Sequence, residues 1–159
     1  MEHCAGNVEA AVAEFYYEFA AFEDDSLGAA LRSLSDDAVF VRQSKDLLEC
    51  DARLDLLRRL ALASRVPAPL SSELDAILRE AKRLSERRSE LLHAVWPGVG
   101  IEPLEANFDG ETSGPTSSRA RFVRMQFIPQ LDTYAEQARD LKRALGDLAV
   151  RMDAHRRDG

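Results

Sequence analysis

The chain is poor in the residues that would make a specialised reading easy. It has two cysteines, Cys4 and Cys50, in 159 residues. They are far apart and in no C-x-x-C spacing, so neither a disulfide framework nor a cysteine metal knuckle is indicated. Its three histidines, His3, His93 and His155, stand alone, with no H-x-x-x-H or E-x-x-H around them. A metal site is therefore not expected. No glycine-rich phosphate cradle and no G-x-S-x-G elbow occurs, and no cofactor is expected. No run approaches the roughly 20 apolar residues of a membrane span, and the N-terminal stretch lacks a basic region followed by an apolar one. The reading is a cytoplasmic chain with no membrane partner. Basic charge is also in deficit: 21 Lys and Arg face 28 Asp and Glu, a net charge of −7. A pI near 5.0 argues against capture of nucleic acid by overall charge, although it does not forbid a local basic patch.

What remains is Leu, Ala and charge. Hydrophobic residues are 45% and charged residues 31%. Leu and Ala favour helix, and the two charge signs are interspersed as on solvated helix faces. Length fits one domain over 1–159 with a real core. The expected fold is all-α: a bundle of four to five amphipathic helices, with a β-hairpin or long-loop insertion before the last one. The ends, 1–6 and 154–159, are expected to fray.

Asn7 is a good N-cap for a first helix. Val8, Val12, Phe15, Phe19 and Phe22 then alternate steps of four and three, an aromatic core stripe. The pattern runs on through Leu27, Leu31 and Leu34, weakened by Gly28, until a break or cap at 35–37. Helical stretches over 36–49 and from Asp51 follow, as two helices or one with a kink. Val39, Phe40, Leu47 and Leu48 are the apolar residues of the first. In the second, Leu54, Leu57, Leu60 and Ala61 point inward, and Arg58 and Arg59 outward. The Val66-Pro67-Ala68-Pro69 stretch ends it. Ser71 or Ser72 caps the next helix, with Glu73 and Asp75 in its first turn. Leu74, Ile77, Ala81, Leu84, Leu91 and Val95 form its seam, and Pro97 and Gly98 stop it.

Residues 97–118 are rich in Gly, Pro, Ser and Thr. Alternation over 119–127 predicts a strand, paired with 101–108 as a hairpin. The last helix opens at Pro129, a favoured first-turn residue. Leu131, Tyr134, Ala138, Leu141, Leu145, Leu148 and Met152 keep bundle spacing to the basic tail.

One position breaks the pattern. The steps Leu84, Arg88, Leu91, Val95 place a guanidinium on an apolar seam. Such a charge costs free energy unless it is paired or reaches solvent. Two carboxylates of the first helix, Glu18 and Glu23, are candidate partners. Trp96 reads as a core anchor at the helix end.

The span 88–93, Arg-Ser-Glu-Leu-Leu-His, resembles the R-x(4–6)-H motif of the HEPN superfamily. These are small helical-bundle domains, often dimeric, found in toxins, defence systems and RNA processing. The layout is similar too: Arg88, His93 and Trp96 end one helix, a hairpin follows, and an amphipathic helix closes the chain. The position after the arginine is often asparagine in that family and is Ser89 here. The resemblance implies metal-independent RNA cleavage. His93 would be the acid/base and Arg88 the stabiliser of charge building on phosphate. Ser89 would help to position the RNA.

Residues five apart on a helix point about 140° from one another. Both groups therefore meet one phosphate only at a distorted helix end or between two copies, and the resemblance implies a homodimer. Lys82, Arg83 and Arg87, with Arg119, Arg121 and Arg124, are a candidate phosphate rim. The rival expectation is a non-catalytic helical interaction module, an antitoxin, inhibitor or adaptor that binds a protein partner. An acidic mimic of nucleic acid is a third.

Overall fold

The computed structural model describes residues 3–95 and 130–159. The described residues are helical, with no strand among them. The hairpin expected over 101–108 and 119–127, the 97–118 loop and Trp96 lie outside them. The elements are α1 (His3–Ala21), a π-helical segment (Phe22–Leu27), α2 (Gly28–Leu34), α3 (Ala38–Leu47), α4 (Cys50–Ala63), α5 (Ala68–Val95) and α6 (Leu131–Asp158). At 1.5 Å per residue, α5 and α6 are each about 42 Å long.

Cross-contacts set the directions. Phe15 packs on Tyr134, Ser26 bonds to α6 at Lys142, and Arg156 pairs with Asp36. Thus α1–α2 and α6 run parallel. Arg83 bonds to Gln137 and Arg151 pairs with Glu73, so α5 runs antiparallel to them. Arg58 meets Asp75 and Cys50 lies against Ser85, which lays α4 antiparallel against α5. The core is continuous across these helices, from Val12, Phe15 and Phe19 through Leu57, Leu74 and Leu84 to Leu145, Leu148 and Met152.

The first stripe holds together for a reason that lies in its spacing. Phe15, Phe19 and Phe22 are buried, and so are Leu27, Leu31 and Leu34. The step from Phe22 to Leu27 is five residues. In an uninterrupted α-helix it would swing Leu27 and Leu31 away from the phenylalanine face, at about 100° per residue. The π segment takes up the extra residue and returns the leucines to the core. Gly28 is therefore no break; the helix passes through it.

Several boundaries move. α1 begins at His3, upstream of Asn7, which is inside the helix. Asp37 caps α3, accepting from the backbone N–H of Phe40 at 2.9 Å. α3 buries Val41 and Ser44, while Val39, Leu47 and Leu48 face solvent. Extended backbone at Leu48 separates α3 from α4, so these are two helices, and α4 starts at Cys50 behind Glu49. α4 stops before the prolines, at a left-handed Arg65 with φ of 53°. The backbone N–H of Val66 donates to Ala61 and that of Arg65 to Leu62, the paired bonds that close a helix end. α5 starts at Ala68, not at Ser71 or Ser72, because the first turn needs no proline N–H and Pro69 fits there. α6 continues to Asp158, through the 154–159 stretch expected to fray, and the Arg156–Asp36 pair ties that tail to the bundle.

Candidate functional site

The site forms where α5, α4 and the π segment meet. Arg88 leaves α5 from the seam, and its Nη1 donates to Glu23 Oε1 at 2.5 Å. Both side chains are largely buried, 18% and 19% exposed. The guanidinium carbon lies 4.4 Å from the centre of the Phe19 ring and 5.8 Å from that of Tyr16. The Glu23 carboxylate and the Phe19 ring hold the guanidinium between them. The cation–π contact adds roughly 0.5–2 kcal/mol in a half-desolvated setting. Of the two carboxylates named as partners, Glu23 holds Arg88. Glu18 is turned toward α6 and pairs with Arg139 at 3.1 Å, beside Glu14.

Two further polar groups lie beneath this pair: Arg53, which the sequence reading passed over, and Cys50, which it weighed only for a disulfide or a metal. Arg53 is buried, with Nη2 donating to the backbone carbonyl of Glu23 at 3.0 Å. Its Nε has no partner, and no carboxylate pairs with it among the described residues. The sequence carried the signal: Cys50, Arg53, Leu54, Leu57 and Ala61 share one stripe, so Arg53 sits on a seam as Arg88 does. Cys50 is the second group. Burial and then the negative charge of Glu23 push its thiol up to about 12, against the opposing effects of Arg88 and a Ser85 hydrogen bond. The thiol is a buried neutral group, not a nucleophile.

The π segment is gripped from every side. Arg88 of α5 and Arg53 of α4 hold Glu23, Ser26 donates to the Lys142 carbonyl of α6 at 2.6 Å, and Lys45 of α3 pairs with Asp24. π segments within α-helices often coincide with functional positions.

The remaining expected residues are spread along α5 and beyond. Ser89 is exposed on the next position round the helix. His93 lies in the last turn of α5, whose backbone stays α-helical through Val95. The helix is thus not distorted between Arg88 and His93, and one copy directs the two positions about 140° apart. In the expected rim, Arg83 is chelated by Glu80 through two bonds, of 2.5 and 3.1 Å, and also reaches Gln137. Arg83's hydrogen bond holds the Glu80 carboxyl below the usual range. Arg87 meets Glu90 at 2.8 Å, and Lys82 is exposed. Arg119, Arg121 and Arg124 lie outside the described residues. Among the described side chains, the outer face of α5 carries Arg79, Lys82, Glu86, Ser89 and Glu90, all exposed.

Among the described residues no group of His, Cys, Asp and Glu is placed to hold a metal ion, and no helix is long and apolar enough to cross a membrane. No protein-family model, curated protein or solved structure matches the chain.

Proposed function

We propose that this chain is a HEPN-like helical protein directed at RNA, working as a homodimer in a stress, toxin or defence setting. The observation that carries the reading is Arg88: a seam guanidinium held in one orientation by Glu23 and Phe19, five residues ahead of His93 on an unbroken helix. In the reaction, the RNA 2′-oxygen bonds to the adjacent phosphorus as its proton leaves, and the P–O5′ bond breaks as the 5′-oxygen gains a proton. His93 moves those protons and Arg88 braces the phosphate oxygens. Ser89, exposed beside Arg88, contacts the RNA backbone. On this reading Arg88 of one copy and His93 of the other share a phosphate across a two-fold axis, an arrangement that the regular backbone of α5 from Arg88 to His93 supports.

The test is cleavage of single-stranded RNA in EDTA by the purified protein. Arg88→Ala and His93→Ala each lower the rate by at least about 100-fold while the protein stays folded, the lower end of what positioned acid/base and charge-stabilising groups contribute. Cleavage falls with rising salt as counterions compete at phosphate. Equal cutting by wild type and His93→Ala would mark a contaminant and end the enzymatic reading.

A second reading rests on a different surface. Val39, Leu47 and Leu48 are apolar and exposed along α3 and its exit, and the protein is acidic overall. A non-catalytic module that binds a protein partner through α3 accounts for them. It predicts no cleavage at any concentration, and a partner complex indifferent to His93→Ala.

A further inference from the structure

Pairing Arg88 with a carboxylate raises a physical question: a neutralised guanidinium attracts phosphate less. The buried charges answer it. Arg88 meets the largely buried Glu23 carboxylate, Arg53 reaches only the backbone carbonyl of the same residue, and the Arg53 charge has no carboxylate partner among the described residues. The fourth ionisable group, Cys50, stays neutral. Asp51, whose charge also reaches Cys50, is exposed and screened by water. The cluster therefore keeps an excess of one buried positive charge within a protein of net charge −7. Glu23 uses only the Nη1 corner of Arg88, one of the five N–H donors in the guanidinium fork.

We infer that Glu23 is a positioning residue, delivered by the π segment, that sets the plane of the Arg88 guanidinium so that its other donors meet a phosphate without reorganising. The inference rests on the reading of Arg88 as the phosphate-bracing cation. Glu23 can do this because its own backbone is fixed by Arg53, and its segment is fixed again by Ser26 on α6. A carboxylate anchored at its backbone and a ring packed in the core make a rigid seat, and a preset donor acts on developing charge at no cost in motion.

The experiment compares full-length wild type with Glu23→Gln and Glu23→Asp. Two readouts are taken: water exchange of the Arg88 Nε–H by NMR, assigned by its loss in Arg88→Lys, and the kinetics of RNA cleavage in EDTA. Glu23→Gln should keep the helical circular dichroism and speed Arg88 exchange about tenfold as the group opens more often. It should lower kcat by about 100-fold, the scale of a misplaced group, with KM changed less than about threefold. Glu23→Asp, keeping the charge on a shorter arm, should recover part of kcat. A purely structural Glu23 would change stability alone and leave the kcat-to-KM split untouched. Unchanged Arg88 exchange in Glu23→Gln overturns the positioning role whatever the activity. Wild type that cuts no RNA overturns the catalytic reading, and the exchange measurement then still decides whether Glu23 holds Arg88.

Discussion

Arg88 and Glu23, 65 positions apart in the chain, meet as a 2.5 Å ion pair between α5 and the π segment, with the Phe19 ring beneath the guanidinium. The pair closes the one place where the α5 seam presents a charge to the core. Each partner answers for the other: alone, either would be a largely buried charge with no counterion.

That dependence fixes the outcome of a double-mutant cycle. Arg88→Ala and Glu23→Ala should each destabilise by about 1–3 kcal/mol, because each strands the other charge. The double substitution should cost clearly less than the sum, since nothing is then stranded. Urea midpoints measure all four proteins. Additivity within about 0.5 kcal/mol would mean that the two residues do not act as a pair.

Cys50 sets a pH dependence whose sign follows from its position. Burial pushes its thiol up to about 12 in the folded chain, from an ordinary value of 9.0. The folded state thus binds this proton more tightly. Its contribution is fully present below about pH 9 and declines from there toward 12, as the unfolded thiol ionises first. Between about pH 8 and pH 10.5, wild type should lose more stability than Cys50→Ala. In a Cys4→Ser background, iodoacetamide should label Cys50 slowly in buffer and fast in denaturant. Fast labelling of the native protein would show that the thiol is not sealed.

Two exchanges, one removing a glycine and one adding it, should each stabilise the fold. Gly146 lies inside α6, and an added Cβ would meet only the Ser26 hydroxyl, at 3.9 Å, an ordinary contact. Gly146→Ala should raise stability by about 0.5–1 kcal/mol through helix propensity. Arg65 holds a left-handed backbone that suits glycine. Arg65→Gly should gain up to about 1 kcal/mol by relieving it. Thermal melts read both. A loss at Gly146→Ala would mean that Ser26 cannot accommodate a methyl group and that the π segment is tighter against α6 than the contact implies.

The helices were legible because their cause is local. Apolar steps of three and four name the buried face of α6 almost residue by residue, and Asp37 and the prolines mark ends through backbone chemistry that acts within a few positions. Arg88 stood out for the same reason, as a charge on a stripe. Arg53 carried the same signal in α4 and was passed over, and the step of five from Phe22 to Leu27, read as a continuing stripe, is where the π segment lies, since no α-helix keeps both residues on one face. What no local pattern could decide was which carboxylate Arg88 meets. Glu18 and Glu23 stand on the same helix, within reach of the same aromatic stripe. The choice depends on how far the π turn rotates the chain and on Arg139 of α6, which claims Glu18 for the opposite side. Pairing across the bundle is set by where three long helices come to rest against one another, and only the packed core determines that.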